Sequence, residues 1–338
     1  MKQNPAVHDV TILLTLWDRS EYTQTWIEKN LCENFQFIVA DGSFDSENER
    51  IFSKYSDKTN LKYMRFQPDT NIQMYLKKVN KAVKACKTEY ILMMDNDDFL
   101  HSKTVIKMKN KLEKYKECGL CAGTIRYISE TKSSKLSGNP SAKRYRISYS
   151  KDIQFGLDRK SDFAALKHAL KPYLCVWYSL FRTSHFSKIW SLAEKKKIND
   201  LFILEYFVSH LSLAKTTVCA VPNTFLFRLT NPTTNTAQTY ARIDFNQKQR
   251  ILFDEEYRKD FFKLFDIICD GEVSRKNELQ EIYREFFFDF SYGKSFGKFA
   301  IGIALSKLYN YANFFAYKIE TMIKMVAFIE GDNSNRIK

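Results

Sequence analysis

The chain has 338 residues, with 53 Lys and Arg against 39 Asp and Glu, a formal charge of +14, and 44% hydrophobic and 15% aromatic residues. That is a globular composition long enough for one large domain or a main domain with an appendage, and its positive excess favours nucleotide phosphates, nucleic acid or anionic lipid as partners. Seven scattered Cys argue for reduced thiols in a cytoplasmic protein and against a disulfide framework, while the absence of an apolar leader after Met1 and of any 18-residue uncharged apolar run argues against secretion and a spanning helix.

In chain order, Val10 to Leu16 (VTILLTL) is a β-rich apolar run and predicts a first strand. Thr23 to Asn30 predicts a helix. Phe35 to Ala40 predicts a second strand, stopped by the turn signal Asp41-Gly42-Ser43. Glu47 to Tyr55 reads as a helix and Leu61 to Phe66 as a weaker strand. Asn71 to Cys86 reads as a long helix with Leu76, Val79, Ala82 and Val83 on one face. The alternation of strand and helix predicts a mostly parallel, doubly wound sheet over the first 125 residues.

The next segment, Ile91-Leu92-Met93-Met94-Asp95-Asn96-Asp97-Asp98-Phe99-Leu100, is the most telling in the chain. Four apolar residues predict a buried strand of a parallel sheet. Three acids then fall at its carboxyl end, where open α/β sheets place their ligands. Packing does not need three acids there, and they repel one another unless something positive joins them. If the backbone stays extended, Asp95 and Asp97 share one side of the strand and grip one cation; a helix N-cap is the alternative use of Asp97.

Lys103 to Glu117 predicts a helix leading into a strand that holds Cys118-Gly119-Leu120-Cys121. That pair follows a helix instead of opening one, and it has no second pair at zinc spacing, so it reads as packing residues. Thr131 to Ala142, rich in Ser, Lys, Gly and Pro, predicts a loop, either an active-site loop or a solvated connection. Tyr173 to Arg182 predicts a strand, and Ile198 to Leu213 a helix started by Asn199-Asp200. Thr216 to Val221 and Phe225 to Leu229 predict two short strands. Trp177 and Tyr178 read as acceptor-pocket or core residues, Arg182 and Arg228 as phosphate contacts or salt bridges, and His210 as a packed or surface histidine. From about Asp244 helical periodicity takes over. Residues 291–329 interleave Phe296, Phe299, Tyr311, Phe314 and Phe328 with Lys294, Lys298, Lys307, Lys318 and Lys324. These are helices that cover a core or lie on a membrane surface.

The first strand, the turn Val39-Ala40-Asp41-Gly42-Ser43 and the strand end MMDNDDFL, in that order, resemble the nucleotide-binding half of a GT-A glycosyltransferase. The resemblance is to the inverting, family-two-like group of bacterial polysaccharide and lipopolysaccharide enzymes with a DxD subdomain. It spans about residues 8 to 230, and Ala40 replaces an acid frequent in the family. It implies a GT-A domain over residues 1–240, with a nucleotide-sugar half at 8–125 and an acceptor half at 126–240, followed by a helical region at 241–338. Thr15 and Leu16 would meet the base and ribose, Asp41 the base, and Asp95 the ribose or the metal. Asp97 would ligate Mn²⁺ or Mg²⁺, with the role of Asp98 open. Asp200 would be the catalytic base, with Glu205 the second choice. The implied donor is a UDP-sugar and the implied acceptor a glycan or lipid-linked glycan, at the cytoplasmic face of a membrane. On the residues alone, Asp41 also reads as a turn residue, Asp200 as a helix cap and Glu205 as a solvated helix residue.

The chemistry suits those residue types. Glycosyl transfer gathers charge on a departing nucleoside diphosphate, which a divalent cation and nearby Arg or Lys neutralise. A carboxylate accepts the proton of the attacking hydroxyl, and one base opposite the leaving group gives inversion. Two other classes fit parts of the chain. A two-metal nucleic-acid enzyme would use the acids and the charge, but the basic residues form no stripe and no recognition motif is present. A non-enzymatic membrane module would use the C-terminal end but leaves the acidic strand end unexplained.

Overall fold

The computed structural model describes residues 9–32, 34–131, 144–152, 158–160, 162–170, 176–198, 200–229 and 255–288. By contacts the chain divides into two units, residues 1–282 and 283–338. The Thr131 to Ala142 loop lies almost wholly outside the described residues, and the basic-aromatic stretch at 291–329 and Asn199 lie entirely outside them.

Strands β1 (Val10–Leu16), β2 (Gln36–Asp41), β3 (Leu61–Arg65) and β4 (Tyr90–Met94) form a parallel block in the order β3-β2-β1-β4. Helices α1 (Ser20–Asn30), α2 (Glu47–Ser53) and α3 (Ile72–Ala85) make the crossovers. Every residue of β1 and β4 is buried, as continuous apolar runs require when both faces of a sheet are covered. Trp26 of α1 packs edge-on against Phe37 of β2, with ring centroids 6.0 Å apart, and the expected face of α3 (Leu76, Val79, Ala82, Val83) is buried.

The remaining sheet is mixed. After β5 (Asp98–Leu100) and α4 (Ser102–Lys114) come β6 (Cys118–Thr131) and β7 (Arg144–Asp152). These are followed by α5 (Asp162–Leu170), β8 (Leu180–Arg182), α6 (Thr183–Lys195), α7 (Leu201–Ala214) and β9 (Thr217–Leu229). β8 pairs antiparallel with both β4 and β6, β6 runs parallel to β9, and β5 closes the order antiparallel to β9. The result is a curled GT-A-type sheet. The six described cysteines are free thiols, and Cys118, Cys121 and Cys219 are buried in β6 and β9, so the Cys118–Cys121 pair is packing.

Three segments differ in kind from the sequence expectation. Of the described part of the strand expected over Tyr173 to Arg182, residues 176–182, only Leu180–Arg182 is strand. Ser179 N donates to Val176 O at 2.9 Å in a turn, and Trp177 plugs the core against Trp190 with centroids 5.1 Å apart. The apolar run there signals burial, not pairing. The two short strands expected after Thr216 are one strand, β9; its pairing with β6 shifts register between Ala122 and Thr124, where Pro222, which has no N–H to give, is accommodated. The acidic segment is bent, with consequences described below.

Beyond the sheet lie α8 (Glu255–Ile268) and α9 (Val273–Phe288). α8 packs on α7 through Phe261, whose ring stands 5.7 Å from Tyr206 and 6.4 Å from Phe202. No helix among the described residues is long and apolar enough to cross a membrane.

Candidate active site

The carboxyl ends of β1, β2 and β4 meet at one edge of the sheet. Asp95 follows β4, but the chain does not stay extended. Asp98 N donates to Asp95 O at 3.2 Å, so Asp95 to Asp98 make a tight turn into β5. The expectation of an extended D-x-D is therefore replaced by a turn, and the turn gathers three carboxylates instead of two. Oxygens of Asp95, Asp97 and Asp98 lie within 4.8 Å of one another.

The turn is pinned by α1 at both ends. Near its start, Asn96 Nδ2 donates to Arg19 O at 2.8 Å and to Thr23 Oγ1 at 3.2 Å. Near its end, Asn30 Nδ2 donates to Asp98 O at 3.1 Å, and Leu100 N donates to Asn30 Oδ1 at 2.7 Å. The loop from β1 to α1 holds two consecutive residues in the left-handed region, Asp18 and Arg19, each with φ 56°. For non-glycine residues that conformation costs on the order of 1–3 kcal/mol each and persists only where the surroundings fix it. Here Asp18 N donates to Ser43 Oγ (2.8 Å), Phe44 N to Asp18 Oδ1 (2.8 Å) and Asn48 Nδ2 to Asp18 O (3.2 Å).

Each acid has cationic company. Asp97, 8% exposed, accepts from Arg19 Nη1 at 3.0 Å, and Arg19 Nη2 donates to Asn96 Oδ1 at 2.8 Å. Asp95 accepts from Tyr178 Oη and Arg228 Nη2, both at 2.9 Å, and from Thr15 Oγ1 at 3.4 Å. Asp98 is fully buried and faces Arg228 Nε at 3.3 Å, its cross-strand partner between β5 and β9. Burial drives the Asp98 carboxyl well above the usual range, against the pull of Arg228. Arg228 stays charged: burial opposes its charge, but Asp98 and Asp95 outweigh it, and its guanidinium stacks 4.0 Å over the Tyr178 ring. Asp97 Oδ1 remains buried without a partner, and Asp98 Oδ1 has only its ion pair with Arg228 Nε. An orphaned carboxylate oxygen with two further acids in reach suits a hard divalent cation, so the residues fit Mn²⁺ or Mg²⁺.

Asp41, fully buried, has partners at both oxygens. Ser43 N donates to Oδ1 at 2.8 Å, while Oδ2 accepts from Tyr63 Oη and sits 2.9 Å from Arg65 Nη1. Burial and the Asp41 hydrogen bond push the Tyr63 hydroxyl up, so it stays protonated. Leu16 O accepts from Gly42 N at 3.0 Å and from Lys78 Nζ at 2.7 Å. Lys78 is in turn paired with Asp69, both buried. Burial pushes the Asp69 carboxyl up and the Lys78 ammonium down, and each is held by the other's charge. Gly42 is required because a Cβ there would stand 2.5 Å from Asp69 Cγ. Trp17 and Phe44, just past β1 and β2, are exposed at 57% and 59%.

Asp200 caps α7. Its Oδ1 accepts from Ile203 N and from Tyr257 Oη, both at 3.0 Å, and Gln73 Nε2 anchors the preceding turn through Ile198 O at 2.7 Å. Glu205, half-buried, lies one turn on. His210 is buried and pushed down to about 3 by burial, a packed neutral ring. Arg182 is excluded from the site: it faces Glu89, Leu112 O and Cys118 O beside the start of β4, the end opposite the acids. Arg19, Lys78 and Asp69 were not singled out by sequence reading. Arg19 had one local signal, its position immediately after β1.

A parallel β3-β2-β1-β4 block with an acidic turn at its carboxyl edge, continued by a mixed half, defines the donor-binding architecture of GT-A enzymes. Residues 24–190 match the family described as glycosyl transferase family 2. The crystal structure of S. aureus TarS 1–349 aligns with a TM-score of 0.52 at 12% identity, over 84% of this chain and 72% of that one. TarS 1–349 in complex with UDP-GlcNAc aligns with a TM-score of 0.50 at 14% identity, over 84% and 73%. At such identities the likeness is one of fold. No curated protein matches the sequence. The chain is a GT-A glycosyltransferase, family-2-like over the matched segment.

Proposed function

We propose that the protein moves a sugar from a UDP-sugar to a hydroxyl of a glycan or lipid-linked glycan, with inversion and with Mn²⁺ or Mg²⁺, in bacterial surface polysaccharide or lipopolysaccharide synthesis. The observation that carries the reading is the convergence of Asp95, Asp97 and Asp98, with Asp97 Oδ1 buried and unpartnered, at the carboxyl edge of the parallel block. The UDP-GlcNAc complex of the similarly folded TarS supports a nucleotide-sugar donor.

Asp97 and Asp95 would hold the cation, with Asp98 beneath them; when bound, it supplies positive charge to the diphosphate leaving group. Thr15, Leu16 and Asp41 line the nucleotide side. Asp41 fixes the β2 turn through Ser43 N, and the exposed Trp17 and Phe44 offer flat apolar surfaces there. Asp200 accepts the proton of the acceptor hydroxyl, its carboxylate oriented by Ile203 N and Tyr257 Oη; Glu205 is the second candidate. The catalytic domain is assigned to residues 1–240 and a helical region to 241–338, with residues 291–329 resting on the cytoplasmic face of the membrane.

Asp97→Ala should abolish Mn²⁺-dependent UDP binding in calorimetry, and unchanged affinity removes the metal role. Asp200→Asn keeps an oxygen for Ile203 N and loses the ability to take a proton. It should bind donor normally and lose roughly 10²–10⁴ in transfer rate. Near-parent turnover would move the base to Glu205. A panel of nucleotide sugars assayed for hydrolysis identifies the donor.

A further inference from the structure

We propose that Arg19 is a positioning residue that makes cation and donor diphosphate enter together, by holding Asp97 as its resident counter-charge. The inference rests on the donor reading above and deepens it.

Two arginines already occupy the acidic turn. Arg19 meets Asp97 Oδ2 at 3.0 Å, and Arg228 meets Asp95 Oδ2 at 2.9 Å and Asp98 Oδ1 at 3.3 Å. Asp95 and Asp97, the two acids that would hold the cation, already face two guanidinium groups, so their pairing leaves 2 − 2 = 0 net charge for an incoming divalent cation. Alone, that cation is repelled by both guanidinium groups; alone, a diphosphate is repelled by the carboxylates. Together they balance, because each supplies the charge that the other lacks.

The two arginines differ in how they are held. Arg228 is locked between two acids and the Tyr178 ring, in a strand pair. Arg19 stands at the N-terminal end of α1, about a quarter exposed, on a backbone kept left-handed by the contacts of Asp18 and by Asn96. It uses one nitrogen on Asp97 Oδ2 and the other on Asn96 Oδ1, while Asp97 Oδ1 is buried without a partner. One oxygen of Asp97 is thus committed to a removable cation and the other is left open. A bound diphosphate gives the Arg19 guanidinium an alternative anion and so lowers the cost of sharing Asp97.

The test is calorimetry on the full chain with MnCl₂ alone, UDP alone and both together, for the parent, Arg19→Gln, Arg19→Met and Arg19→Lys. The parent should bind Mn²⁺ weakly by itself and far more tightly with UDP. Both uncharged variants should bind Mn²⁺ alone about tenfold more tightly and lose about tenfold of the Mn²⁺–UDP coupling, as expected for removing one nearby positive charge. Arg19→Lys keeps the charge and should stay near the parent. A merely structural role for Arg19 would not tighten metal binding. Arg19→Met keeps an apolar chain of similar length next to the Tyr22 ring, over which the guanidinium stands at 5.6 Å, and serves if Arg19→Gln does not fold. Parent-like Mn²⁺ affinity and coupling in the folded uncharged variants overturns the inference while the donor reading stands. Absence of both Mn²⁺ and UDP binding in every protein overturns the donor reading itself, whereas UDP binding without any Mn²⁺ binding removes the metal role and this inference with it.

Discussion

Gly42, Asp69 and Lys78 form one small unit beneath the carboxyl ends of β1 and β2. Asp69 lies so close to Gly42 that any side chain there would strike its carboxylate, and Asp69 N also donates to Gly42 O at 2.8 Å. Lys78 supplies the counter-charge and ties the pair to Leu16 O, at the end of β1. Removing one member of a buried ion pair strands the other, which costs more than the pair is worth. Lys78→Met should therefore destabilise the fold by about 3–5 kcal/mol in urea unfolding. Adding Asp69→Asn to it should recover part of the loss, with a coupling on the order of 1–3 kcal/mol. A single Lys78→Met change within about 1 kcal/mol of the parent would mean that the pair does not hold this edge. The pair was not legible in the sequence. Lys78 sits on a helix whose neighbours Leu76 and Val79 signal an apolar face, and nothing local shows that a lysine at that position turns inward to an acid nine residues back.

His185 near the start of α6 and His210 on α7 give the helical layer a pH response. Burial pushes His185 down to about 4 and His210 to about 3 from an ordinary 6.5. Both rings are thus neutral in the folded chain, whereas the unfolded chain takes up protons below about 6.5. The contribution of each histidine is therefore intact above that pH and is lost as pH falls toward its folded value, by about 1.4 kcal/mol per pH unit. Urea titrations between about pH 6.5 and 4.5 should show this slope before most carboxylates protonate. His185→Gln with His210→Gln should flatten it, and an unchanged slope in that variant would place the response elsewhere. Single elements were largely legible in this chain. β1, β2, β4, α3 and the Asp200 cap follow from local periodicity and capping chemistry, and the three acids stood out because packing gave no reason for them. The cationic half of the site was not, because it depends on pairing across the chain. Arg228 reaches Asp98 only through the β5–β9 register, 130 residues apart in sequence, and Arg19 reaches Asp97 only through a left-handed turn that no glycine announces.

At the scale of the whole chain, the +14 charge is unevenly used. The acidic turn consumes two arginines, whereas residues 291–338 carry seven Lys and Arg against three Asp and Glu, or 7 − 3 = +4, interleaved with Phe and Tyr. A segment that is both basic and aromatic suits an interface where lysines meet anionic headgroups and rings enter the boundary region. Each basic residue near such a surface contributes on the order of 1 kcal/mol, weakened by salt. Deleting residues 291–338 should therefore lower co-sedimentation with anionic vesicles at low salt far more than with zwitterionic ones. Mn²⁺-dependent UDP binding should be retained, because the acids and the turns that hold them all lie between residues 14 and 230. In the parent, raising ionic strength should release the protein from anionic vesicles progressively; purely apolar insertion would resist it. Aggregated or unfolded truncated protein would instead assign the aromatic residues to packing, and donor and acceptor would then have to meet at the membrane by some other surface.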